Sequence, residues 1–171
     1  KKKKNEKKRT RNEEVEKLAN ELLDHFKKNK WISKKWTFAF NKRKSAFGLC
    51  CFVKNQISVS IYYAELGTME QIKDTIIHEL CHAKVGPYEN HGQKWKDACV
   101  MHGAKPLRCG KRIDDMPCKY KGTCTVCGYV YRAQRKLHDM KRRICVNKGC
   151  TARKDGIYII WSQQNNGKRV I

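Results

Sequence analysis

No stretch of this sequence comes near the ~18 consecutive apolar residues that a membrane-crossing helix needs. The opening lysines are followed by no apolar run of the kind a secretory signal carries. Acidic residues are scarce: 16 Asp+Glu stand against 39 Lys+Arg, a formal charge of +23. That excess goes beyond what solubility asks of a small domain. It predicts a polyanion as partner, nucleic acid before an anionic membrane surface. Aromatics make up only 9%, yet 40% of the residues are hydrophobic, which is enough for one modest core and excludes wholesale disorder. No internal repeat is visible, and 171 residues accommodate one catalytic-sized domain with a small appendage. The chain starts at Lys rather than Met, as a piece of a longer protein would.

Cysteine is plentiful by contrast. Ten of them without a signal segment predict a reducing, intracellular setting in which thiols serve metals more often than disulfides. Charge is unevenly spread. Residues 1–11 hold eight basic groups and one acidic, residues 12–117 hold 18 and 13, and residues 118–171 hold 13 and two. The expected organisation is therefore a disordered basic arm (1–11), a globular domain (12–117), a cysteine-rich module (118–163) and a tail (164–171).

Within the globular part, Val15, Leu18, Ala19, Leu22, Leu23 and Phe26 recur at helical spacing and predict a helix over about 12–29. Alternation at Trp36, Phe38 and Phe40 and at Ile57, Val59 and Ile61, with the apolar run Phe47–Val53 between them, predicts three strands. Thr68-Met69-Glu70-Gln71 is a capping box that opens a second helix, which Gly86-Pro87 stops. A further helix is expected over about 91–102. The class is α+β: a small three-stranded sheet, an N-terminal helix and a helix pair, then a small β module with short runs at Tyr129–Tyr131 and Ile157–Trp161.

The second helix carries His78-Glu79-Leu80-Cys81-His82, an HExxH pattern. Residues four apart on an α-helix differ by only ~40° of rotation, so two imidazoles can grip one Zn²⁺ from the same face. Glu79 is then placed to reach a water rather than the metal, and a zinc-bound water of pKa ~7 can surrender its proton to a carboxylate. The other face of the helix is apolar, where unpaired imidazoles would be costly. A catalytic zinc needs a third protein ligand and an open position. Val85 and Tyr88 stand where the metzincin pattern requires Gly and His, which excludes that pattern. No Glu follows Glu89, leaving Asp97, Asp114 and Asp115 as acidic options. His91, just beyond the Gly86-Pro87 turn, is the better third ligand. His102 competes but lies further along the next helix, and His25 and His138 sit in charged surroundings.

Together with His91-Gly92-Gln93-Lys94-Trp95-Lys96, the segment His78–Ala83 resembles the SprT-like (Spartan-like) metalloprotease family. The Trp36–Phe40 strand, Gly48 and Ile57-Ser58-Val59-Ser60 follow that family's order of elements. The resemblance covers about residues 12–110 and extends into the cysteine-rich end. It implies that His91 is the third zinc ligand beside His78 and His82, with Glu79 as general base. It also implies an endopeptidase that digests proteins crosslinked to DNA, with little sequence preference. The setting would be nuclear in a eukaryote and otherwise cytoplasm and nucleoid.

Cys124-Thr125-Val126-Cys127 and Cys145-Val146-Asn147-Lys148-Gly149-Cys150 form two knuckles whose four thiolates suit a tetrahedral Zn²⁺, with Gly128 and Gly149 in the tight turns. Two ions are thus expected, one catalytic and one structural, and the structural one would hold this small module folded. SprT-like proteins carry a similar ribbon. Cys118 could stand in for a ligand, while Cys50, Cys51, Cys81, Cys99 and Cys109 read as buried free thiols. Around the knuckles, basic and aromatic residues interleave, which suits single-stranded or partly unpaired DNA. Most of these aromatics would pack as the module's own core, which leaves phosphate contact to Arg135, Lys136, Lys141, Arg142 and Arg143. Two rival readings remain open. One is a non-enzymatic nucleic-acid-binding zinc protein of transcription or chromatin, with HExxH holding a closed structural metal. The other is a protease whose basic surface targets ribosomal RNA or acidic proteins.

Overall fold

The computed structural model describes residues 2–108 and 116–164; Lys1, Cys109, Asp114, Asp115 and the tail beyond Gln164 lie outside them. The chain divides into two compact units, Lys1–Met116 and Pro117–Ile171. Among the described residues no helix is long and apolar enough to cross a membrane.

Helix α1 spans Lys2–Lys28. Its C-terminal part follows the apolar spacing, burying Val15, Ala19, Leu23 and Phe26. Its start corrects the expectation of a disordered arm: the helix runs back through the basic segment to Lys2. Lys and Arg lose little rotamer freedom in a helix and rank among its better formers. Here they extend a turn already paid for by packing. Arg9 pairs with Glu13 at 3.4 Å, and Arg11 donates to the carbonyls of Gly67 (2.7 Å) and Ala64 (3.3 Å).

Three strands follow: β1 (Thr37–Asn41), β2 (Gly48–Cys51) and β3 (Gln56–Ser60). The order is β1-β3-β2, with β3 parallel to β1 and antiparallel to β2. The alternation at Ile57 and Val59 ends sooner than expected. Ile61 opens a short helix, α2 (Ile61–Leu66), with Ser60 at its N-cap. Helix α3 (Met69–Val85) starts on the full capping box: Gln71 N–H donates to Thr68 Oγ1 at 3.2 Å, and Thr68 N–H to Gln71 Oε1 at 2.9 Å. It ends at Gly86, whose φ of 93° only glycine takes readily. Helix α4 (Gln93–Met101) is two residues shorter at its start than expected.

Helix α3 is the middle of this unit. It packs on α1, on β2 and β3, and on α4. Ile72, Ile76 and Leu80 are fully buried against α1 and the sheet, while Ile77 and Cys81 face a second cluster with Trp95 and Cys99 of α4. The remaining stripe of α3 carries the HExxH side chains.

The second unit is a three-stranded antiparallel sheet, β4 (Tyr120–Thr123), β5 (Val130–Ala133) and β6 (Ile160–Gln163), in the order β5-β4-β6. The central strand β4 carries no alternating apolar pattern. It is possible because Gly122 lets the Trp161 ring lie on the strand; a Cβ there would come within 2.7 Å of the indole. Among the described residues its buried cluster is small, Cys124, Cys145, Ala152 and Ile159, with Tyr131, Ile144, Cys150 and Trp161 partly buried against it.

Candidate metal centres

His78 and His82 project from successive turns of α3, and the loop after Gly86 brings His91 back over them. The Nε2 atom of His91 lies 3.3 Å from that of His78 and 3.3 Å from that of His82. Bonds of ~2.0–2.1 Å to a tetrahedral ion put neighbouring nitrogens about 3.3–3.4 Å apart, so the spacing fits a shared metal. Among the described residues this group offers three ligand atoms, which leaves the fourth corner of a tetrahedron to solvent or substrate.

Two features fix this arrangement. Trp95 of α4, fully buried, touches all three imidazoles: its ring centre is 4.6 Å from those of His78 and His91 and 5.3 Å from His82, which stacks on it. Glu89 shapes the loop. Its carbonyl accepts from Gly92 N–H at 2.9 Å, and its carboxylate accepts from Lys94 N–H at 3.0 Å in the first turn of α4. A Cβ on Gly92 would run into that carboxylate, so the HG-x-x-W segment has a steric reason at its glycine and a packing reason at its tryptophan.

Burial holds the imidazoles neutral. It pushes the pKa of His78 down to about 4, with His91 adding repulsion, and that of His82 down to about 4, with His78 and His91 adding to the effect. His91 is lowered as well, by burial and by Arg108. Neutral imidazole is the form that binds a metal.

Glu79 is 8% exposed, and burial raises its pKa to about 8, moderated by a hydrogen bond from the Cys50 backbone N–H. Its carboxylate lies against edge strand β2. A Cβ on Gly48 would meet Glu79 Oε1 at 2.6 Å and Cγ at 2.8 Å. Gly48 and the Cys50 amide therefore hold the carboxylate in place, a role that motif reading does not supply. An isolated glycine inside an apolar strand run is the available signal, because it marks a close approach. Cys50 itself is half-buried, its thiol pushed up to about 12 by burial, then by Glu79 and Cys51.

The other histidines are elsewhere. His102 packs on Trp31 (4.3 Å) and Phe26 (4.5 Å) and meets Lys84 Nζ at 3.0 Å. His25 lies against Trp31, and His138 is exposed beside Asp139. Asp97 accepts from Gln93 at 2.8 Å on the surface of α4. Cys81 and Cys99 are buried together between α3 and α4, whereas Cys51, like Cys50, is only half-buried.

In the second unit the four knuckle cysteines converge. Cys124 and Cys150 sulfurs are 3.7 Å apart, and those of Cys127 and Cys145 3.6 Å. Bonds of ~2.3 Å to a tetrahedral ion put sulfurs about 3.8 Å apart, so this set also fits one metal, closed by four ligands. Gly128 (φ 69°) and Gly149 (φ 80°) turn the knuckles. The Tyr131 hydroxyl sits 3.1 Å from Cys145 Sγ and accepts from Val146 N–H at 2.9 Å, bracing one ligand. Cys118 is buried but outside the four-thiol group. Arg135 and Lys136 follow β5, Lys141 and Arg142 lie in a single 3-10 turn (Met140–Arg142), and Arg143 comes next; all five are exposed.

A crystal structure of the metallopeptidase zymogen jannalysin from Methanocaldococcus jannaschii is similar at 22% identity and a TM-score of 0.44, over 52% of this chain and 80% of that one. No curated protein matches the chain. The SprT-like family model matches residues 15–115, which include β1–β3, α2–α4 and all three converging histidines. The chain belongs to the SprT-like family.

Proposed function

We propose that the protein is a zinc-dependent endopeptidase that degrades proteins bound or crosslinked to DNA. The observation that carries this reading is the meeting of three imidazole nitrogens 3.3 Å apart, with Glu79, the residue after His78, braced by Gly48 and the Cys50 amide. His78, His82 and His91 would hold the catalytic zinc, and Cys124, Cys127, Cys145 and Cys150 a second, structural one. Zinc bound at the imidazoles supplies Lewis acidity toward a peptide carbonyl and acidifies water.

This chain's own residues do the rest. Glu79 takes the proton of the attacking water and returns it to the leaving amine. Its raised pKa suits a group that must accept a proton and then release it near neutrality. Trp95 keeps the imidazoles from turning, so no reorganisation is asked of them as the reaction proceeds.

DNA enters through charge. The +23 excess and the exposed Arg135, Lys136, Lys141, Arg142 and Arg143 support phosphate contact. Binding the strand that also carries the substrate raises the effective concentration of one near the other, in the nucleus of a eukaryote or otherwise in the cytoplasm and nucleoid. The test is degradation of histone or casein with and without single-stranded DNA, with Glu79→Gln as control. DNA-stimulated cleavage by the unaltered chain alone is expected; cleavage by neither, with zinc bound, would leave a metal-holding DNA binder.

A further inference from the structure

Helix α2 carries a side chain that the chemistry above does not use. Tyr63 is buried, and its ring and its hydroxyl hold two different elements. The ring lies flat on Phe47, the centres 4.2 Å apart and the planes 10° from parallel. Phe47 is the residue before Gly48, and its carbonyl accepts from Ser60 N–H at 2.8 Å, so it leads directly into strand β2. The hydroxyl reaches α3 instead. It donates to the Gln71 carbonyl at 3.1 Å and accepts from Thr75 Oγ1 at 3.2 Å, and Thr75 Oγ1 stands 3.0 Å from that same carbonyl. Burial raises the phenol above its ordinary pKa, with Thr75 opposing and Asp74 adding, so the group stays a donor.

Thr75 connects this triangle of oxygens to Glu79. The two are four residues apart and project from the same side of α3. Both press on one point of β2: a Cβ on Gly48 would come within 2.9 Å of Thr75 Cγ2 and 2.8 Å of Glu79 Cγ. A helical threonine chooses its rotamer by where its hydroxyl bonds. Here Tyr63 and Gln71 take Oγ1, which leaves the methyl against Gly48. Glu79 thus stands between the strand, at Gly48 and the Cys50 amide, and a helix whose neighbouring turn is pinned at Thr75. Tyr63 is the residue that holds both sides. We infer that Tyr63 and Thr75 are positioning residues for Glu79, fixing the gap between β2 and α3 in which its carboxyl is held. This rests on the reading of Glu79 as general base. The pair acts only through that carboxyl and touches no substrate.

The test measures kcat and KM for casein cleavage by the full chain with zinc and single-stranded DNA. Tyr63→Phe keeps the stacked ring and removes the hydroxyl; kcat should fall about fivefold, the share of one hydrogen bond. Thr75→Ser keeps the hydroxyl and removes the methyl; kcat should fall about tenfold, part of the ~10²-fold that a misplacement of ~1 Å costs. KM and zinc affinity should not move. A second comparison asks whether the loss passes through Glu79. In a Gly48→Ala background, where the carboxyl is already displaced, Tyr63→Phe should cost less than about twofold more, because effects that share one partner do not add. Unchanged kcat, an equal loss in both backgrounds, or a loss matched by lost zinc or by the unfolded fraction in a melting curve overturns the positioning role and leaves Glu79 as the base. Absence of cleavage by the unaltered chain with zinc bound overturns the peptidase reading itself, and this role with it.

Discussion

The two candidate metal centres, three histidines and four cysteines, have opposite kinds of support. Two of the three histidines, His78 and His82, stand on a helix that is already buried on two sides, by Ile72, Ile76 and Leu80 toward the sheet and by Ile77 and Cys81 toward α4, and His91 comes from the loop that leads into α4. The four cysteines belong to a unit whose buried cluster, among the described residues, consists of Cys124, Cys145, Ala152 and Ile159, so that two of its four members are candidate ligands. In the first unit, the fold makes the site. In the second, a metal held by the four thiolates would make the fold, because so small a cluster cannot offset the entropy of ordering a sheet.

Metal removal should separate the two most sharply. Structural zinc in small modules contributes about 10–16 kcal/mol. Chelation should therefore abolish amide-exchange protection in β4, β5 and β6 while α1 and α3 keep theirs. Protection of β4 surviving chelation would show that side-chain packing suffices in the ribbon. Next in size, Glu79→Gln should cut peptide cleavage by about 10²–10⁴-fold, the usual share of a general base, with zinc still bound by atomic absorption. Activity at the original level would remove Glu79 from the mechanism.

Gly48→Ala should cost about 10²-fold in kcat, since a misplacement of ~1 Å in a reacting group has that effect. The added methyl displaces the Glu79 carboxylate and leaves the imidazoles alone, so zinc affinity should not move. Equal loss of zinc and of activity would make the glycine merely structural.

The pH dependence sharpens the contrast further. His78 and His82, at about 4 in the folded chain against an ordinary 6.5, bind protons more weakly folded than unfolded. Metal-free stability of the first unit should thus be intact above pH 6.5 and fall as the pH drops toward 4. For the same reason, competition by protons for the imidazoles should set in well below pH 6.5, read as zinc transfer to a chromophoric chelator. Loss of zinc already at pH 6.5 would contradict the neutral state of the buried rings. The smallest effect is Arg11→Ala, which removes the hydrogen bonds to the carbonyls of Ala64 in α2 and Gly67 just after it and should cost about 1 kcal/mol in thermal unfolding.

What could be read from residues alone follows the range of the signals. His78, Glu79 and His82 are spaced by helix periodicity, and the capping box at Thr68 and stop at Gly86 are local too; all appear where the pattern puts them. The knuckle cysteines are equally local. Strand β4 was not legible, since Tyr-Lys-Gly-Thr has no alternation and becomes a central strand only by pairing on both edges. Helix α2 was hidden because Ile61 continues the apolar alternation of β3 before the chain turns helical. The basic start of α1 has the composition of a solvated arm, and its helicity depends on Arg11 reaching residues more than fifty positions away. The hold of Gly48 on Glu79 is a contact between distant segments, which spacing does not encode.

Helix α3 serves two masters at 100° intervals: one stripe of side chains fills the interior, the next gathers the ligands. A random screen for inactive variants would therefore return Ile76 and Leu80 alongside His78 and His82. Separating dead catalysts from misfolded ones would take a melting curve for every clone.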